Sequence, residues 1–114
     1  MNLIKSALMA GAITLLSLQP AFAGDLLSAS DLRKLVPGRY RVTLMGTVSM
    51  MVTLHPGGLV LGTTKTQHDS GHWNLSGSNL CIAWNKWLGG QARCSQLVSQ
   101  GTYYQGSGFT FKRI

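Results

Sequence analysis

The stretch that decides the fold is residues 71–94, G-H-W-N-L-S-G-S-N-L-C-I-A-W-N-K-W-L-G-G-Q-A-R-C. It holds all three tryptophans and both cysteines of the 114-residue chain. Residues 80–84, Leu-Cys-Ile-Ala-Trp, are a short apolar and partly β-branched run. Residues 91–98 form a second strand candidate. Between them lies Asn85-Lys86-Trp87-Leu88-Gly89-Gly90, a loop ending in the Gly-Gly pair that turns favour. Setting Cys81 opposite Cys94 places Ile82 opposite Arg93, Ala83 opposite Ala92 and Trp84 opposite Gln91. Directly opposed Cβ atoms in an antiparallel pair lie about 4.5–5.5 Å apart, and a disulfide needs about 3.5–4.5 Å. The cysteines therefore belong on the closer, non-hydrogen-bonded kind of pair. The stretch reads as two β-hairpins stapled by one disulfide, Cys81–Cys94.

An oxidising, exported location suits such a staple, and the N-terminus reads as a signal for it. Residues 1–23 read as a signal peptide. Lys5 is the positive end, residues 7–18 are an apolar run, and Ala21-Phe22-Ala23 is a cleavage site. The run falls short of the ~20 apolar residues of a bilayer span, so the cleaved chain is not expected to be an integral membrane protein. The residue directly after the cleavage site is Gly24 and not cysteine, which speaks against a lipoprotein. The expected location is periplasmic or secreted, where thiols oxidise and stay oxidised.

The rest of the chain reads as one small all-β domain. In residues 24–37, Ser28 or Ser30 can cap a short helix carrying Asp31, Leu32, Leu35 and Val36, stopped by Pro37-Gly38. A helix or arm covering one end of a sheet is expected there. From residue 38 to 114 short strands alternate with turn signals. Val48, Met50, Val52 and Leu54 alternate with Ser49, Met51, Thr53 and His55, the period of a half-buried strand. Pro56-Gly57-Gly58 turns the chain back. Residues 66–70 read as a polar loop. Trp73 and Leu75 should face inward, with His72 and Asn74 outward. Residues 102–105 and 109–113 complete about eight short antiparallel strands, an up-and-down meander forming a small barrel or curved sheet.

The ordered set Pro56-Gly57-Gly58, Gly71-x-Trp73, Leu80-Cys81-x-x-Trp84, Cys94 and Gly101-x-x-Tyr104 resembles a pattern in small exported proteobacterial proteins of unknown function. That resemblance implies an architecture and no activity. The meander is also similar, distantly, to a lipocalin-like barrel, though this chain is shorter.

The composition narrows the chemistry. Ten lysines and arginines stand against Asp25, Asp31 and Asp69, with no glutamate, a formal net charge of +7. Such a balance favours an anionic envelope surface, a glycan or an acidic protein as partner. The cations are scattered, without a run of five like charges, and an exported chain does not meet nucleic acid. Paired carboxylates for acid–base work are missing. His68-Asp69-Ser70 spells triad letters, but triads are assembled by the fold and not by adjacency. A small hydrolase is therefore the third reading. The second is a copper-binding envelope protein using His55, His68 and His72 with nearby methionines, since imidazole and thioether ligands suit copper. The first is a binding or structural module that is not an enzyme and needs no cofactor. Its contact residues would be Lys86, Trp87 and Leu88 at a loop tip, joined by Tyr103 and Tyr104.

Overall fold

The computed structural model describes residues 24–114. The expected signal peptide lies outside the described residues. Among the described residues ten antiparallel strands form one curled, barrel-like sheet: β1 (Asp25–Leu26), β2 (Gly38–Leu44), β3 (Val48–Leu54), β4 (Leu59–Thr63), β5 (His68–Ser76), β6 (Asn79–Trp84), β7 (Ala92–Ser95), β8 (Val98–Ser99), β9 (Tyr104–Gly106) and β10 (Phe109–Arg113). One small helix, α1 (Ala29–Arg33), precedes β2. The fold is all-β, as the turn spacing implies.

The order across the sheet is β1-β8-β9-β10-β2-β3-β4-β5-β6-β7. Strands β2 to β7 are an uninterrupted meander. The chain then jumps from one end of the sheet to the far side, from Ser95 to Val98, with only Gln96 and Leu97 between. Three residue steps reach about 11 Å at most, whereas eight strand spacings laid flat would cover about 38 Å. The sheet must therefore curl until its two ends nearly meet. Leu97 is fully buried in that seam, and its carbonyl accepts the Leu27 N–H at 2.8 Å.

Alternation decides which side chains fill the interior. Tyr40 and Val42 of β2, Met50, Val52 and Leu54 of β3, Val60 of β4, Leu80 and Trp84 of β6 and Phe111 of β10 form the core. Tyr40 and Phe111 rings lie 4.9 Å apart. Helix α1 is held by a capping box: the Asp31 N–H donates to Ser28 Oγ, and the Ser28 N–H donates back to the Asp31 carboxylate, both at 3.1 Å. Leu32 within it and Leu35 just after it are buried and cover one end of the core.

Four local features differ from the sequence reading. The strand expected over residues 102–105 is β9 at Tyr104–Gly106, with residues 102 and 103 in the turn before it. Strand β1 is an extra strand, too short to show a period. The strand expected over residues 91–98 breaks at Gln96-Leu97, because Leu97 turns into the core and carries the chain across the seam. The polar segment before Gly71 is strand from His68 on. Thr64 Oγ1 accepts the Gln67 N–H at 3.0 Å and makes a tight turn, so pairing resumes at once with Thr63 opposite His68.

Candidate binding surface

The β6–β7 loop is built on one carboxylate. Asp69 faces inward from β5 and is buried. Its Oδ2 accepts the Lys86 N–H at 2.8 Å and the Trp87 N–H at 2.9 Å, and its Oδ1 accepts the Ser70 N–H at 2.9 Å. Asn85 Nδ2 adds a bond to Ser70 Oγ at 3.0 Å. Burial pushes the Asp69 carboxyl up, but the N–H groups of Trp87, Lys86 and Ser70 and the Lys86 charge outweigh it and hold it below the ordinary carboxylate value.

Held this way, Trp87 folds back over the end of the sheet. Its ring lies 4.9 Å from that of Trp84, tilted by 58°. Both rings rest on Gly62, where an added Cβ would come within 2.6 Å of each. An inward position in the middle of a strand is glycine here because two indoles occupy the space. Trp87 is thus a half-buried lid, while Lys86 and Leu88 remain outside. A cleft of about 460 Å³ opens beside the loop, lined among others by Thr63, His68, Ser70 and Lys86.

The other expected contact residues do not join this loop. Strands β6 and β8 run in opposite directions, so the loops that follow them leave at opposite rims. Tyr103 is exposed in the β8–β9 loop and Tyr104 is half-buried at the start of β9. The histidines do not converge either. His68 and His72 share the outer face of β5, four residues or about 13 Å apart. His55 lies after β3, its carbonyl accepting Trp73 Nε1–H at 2.8 Å. Among the described residues no three of His, Cys, Asp or Glu are grouped to hold a metal ion.

Cys81 and Cys94 are bonded and directly opposed, with Cα atoms 4.0 Å apart, and Ile82 faces Arg93 and Ala83 faces Ala92 as the spacing requires. The same outer surface carries the charge. Lys112 of β10 sits opposite Arg41 of β2, whose other neighbour is Met51 of β3; Arg39 lies two residues along. Like charges placed opposite one another repel. Two of the three aspartates are committed to backbone: Asp31 to Ser28, which holds its carboxyl below the ordinary value, and Asp69 to the loop. Sequence reasoning missed this use of Asp69. Its signal was an acidic residue at an inward position of the β5 alternation.

Two turns on one rim are strained. Met45 and Leu88 have φ of 50° and 58°, and among the described residues they are the non-glycine positions in the left-handed region. That conformation costs a residue with a side chain roughly 1–2 kcal/mol. Compared with known proteins, the chain matches no family model, no curated protein and no solved structure.

Proposed function

We propose that the protein is exported to an oxidising compartment, periplasmic or secreted, and works there as a non-enzymatic binding module for an anionic partner in the cell envelope. The observation that carries this reading is the charge arrangement. Arg39, Arg41 and Lys112 form a row on the outer face with like charges directly opposed, while Asp31 and Asp69 are taken up by backbone N–H groups. An anionic surface relieves that repulsion and gains from each cation. The Cys81–Cys94 disulfide is consistent with export. The three aspartates fall on β1, α1 and β5, and two of them, Asp31 and Asp69, are occupied by backbone N–H groups.

Two measurements test the reading. N-terminal sequencing of the protein recovered from the producing cells should begin at Gly24 and show an intact disulfide. Purified residues 24–114 should co-sediment with envelope fractions at low salt and be released at high salt, and Arg39→Gln, Arg41→Gln and Lys112→Gln together should weaken retention. A cytoplasmic, uncleaved protein, or absence of salt-sensitive retention, would defeat the reading.

A further inference from the structure

A second contact with an anionic partner lies on the rim that carries the two strained turns, at the other end of β2 from Arg39. We infer that this rim docks on an anionic phospholipid surface: Met45, Val48 and Leu88 enter the apolar edge of the headgroup layer, and Lys65 and Lys86 meet its phosphates. The inference rests on the binding-module reading above.

Topology brings these residues to one rim. Strands β2, β4 and β6 occupy alternate places in an antiparallel sheet and run the same way, so the loops after them leave on one side. The Met45 N–H donates to the Gly108 carbonyl at 2.8 Å, which ties the β9–β10 turn to the same rim. On the opposite rim the left-handed turn positions are glycines: Gly57, Gly58, Gly77 and Gly101. On this rim two such positions hold large apolar side chains.

Those side chains serve neither folding nor solubility. Met45 is 84% exposed, and Val48 and Leu88 are each 51% exposed. The Leu44–Thr47 turn has positive φ at both central residues, Met45 and Gly46, and closes with the Thr47 N–H on the Leu44 carbonyl at 3.0 Å. Turns of that kind favour Asn-Gly, where asparagine tolerates the left-handed backbone. Met45 stands in the asparagine's place. Backbone strain that stability does not explain marks a contact site. The charged side chains of these connections are Lys65 and Lys86, both exposed. The nearby carboxylate, Asp69, is buried and occupied. A soluble polyanion would take up the lysines and leave three apolar side chains in water. An anionic lipid surface accommodates both.

Vesicle co-sedimentation of residues 24–114, which contain the whole sheet and core, tests this. The protein should bind vesicles of phosphatidylcholine mixed with phosphatidylglycerol more strongly than phosphatidylcholine alone. Met45→Asn and Leu88→Asn should each lower partitioning about tenfold. Both variants should melt at the same or a higher temperature, because they relieve the left-handed strain; a contact that merely held the fold would move the two readouts together. Lys65→Gln and Lys86→Gln should each reduce binding to anionic vesicles about fivefold. Binding that Met45→Asn and Leu88→Asn leave unchanged, or no vesicle binding at all, overturns the assignment. If vesicles fail but envelope membranes retain the protein until they are treated with protease, the partner is a protein: the lipid rim falls and the binding module stands. If envelope membranes fail as well, both fall.

Discussion

Asp69 Oδ2 accepts the backbone N–H of Trp87 at 2.9 Å, 18 positions along the chain. One buried carboxylate on β5 therefore sets the path of the β6–β7 loop and the position of the indole that closes the sheet. Asp69→Ala should free Trp87, seen as a red shift and loss of intensity in tryptophan fluorescence with a lower melting temperature. The acid limb follows from the sign of the shift. The folded carboxyl titrates below its ordinary value of 3.8, so its contribution is complete above that value and is lost as pH falls through the lower folded one. The variant should lose part of the acid sensitivity. Asp31, shifted the same way by Ser28, supplies another part. An Asp69→Ala protein with unchanged fluorescence and acid midpoint would contradict this account.

The disulfide spans 13 positions of sequence. Closing a loop of about that length is worth roughly 3 kcal/mol in the chain-entropy description. Cys81→Ala with Cys94→Ala, or reduction of the native protein, should lower the unfolding free energy by about that amount in a urea titration. The strand register should survive, because Leu80, Ile82 and Trp84 keep their inward positions.

Gly62→Ala tests the packing under the lid. The new methyl would lie within 2.6 Å of both indoles, so one ring must move. Overpacking of this kind costs about 1–3 kcal/mol. Near-UV circular dichroism should show the Trp84–Trp87 pair disturbed while the far-UV spectrum stays β. An unchanged near-UV spectrum would mean that the rings do not rest on Gly62.

Tyr40 predicts the alkaline limb. Its hydroxyl donates to the Leu35 carbonyl and accepts from Arg113 Nη2 at 2.7 Å. Burial pushes its pKa up, the Arg113 charge pulls it down and Tyr104 pushes it up again, to about 12 from an ordinary 10.0. A group that stays protonated longer when folded contributes fully below pH 10, and the contribution is lost as pH rises from 10 towards 12. Tyr40→Phe should remove that fall. At neutral pH it should destabilise the protein by roughly 1–3 kcal/mol, because the buried Leu35 carbonyl loses its donor. A variant that still loses stability over the same alkaline window would point to another group.

The features legible in the sequence were those with a strict local rule. Val48, Met50, Val52 and Leu54 alternate cleanly, and β3 is found there. The two cysteines fix the β6–β7 register to the residue. A capping serine and Asp31 mark the helix start, and of the two candidates, Ser28 and Ser30, it is Ser28 that caps. What was not legible depends on partners remote in the chain. Two residues of β1 carry no period, and their strand character comes from Val98 and Ser99. Leu97 looks like one more strand residue until the closing of the sheet requires it inside. Trp87 reads from the sequence as a contact residue at a loop tip, and only Asp69 and Gly62, on two other strands, bring it inward.

The place of β10 in the sheet orders the assembly of the molecule. It lies between β9 and β2, so the C-terminal strand fills a gap beside the first long one. A chain emerging from its N-terminal side can zip hairpins from β2 to β7, yet Tyr40 and Val42 stay uncovered until Phe111 arrives. Such a late, long-range join is slower than hairpin closure. It keeps one flank of the growing sheet unsealed until the last strand is in place, so the hairpins already formed wait on a residue more than seventy positions away to complete the core around Tyr40.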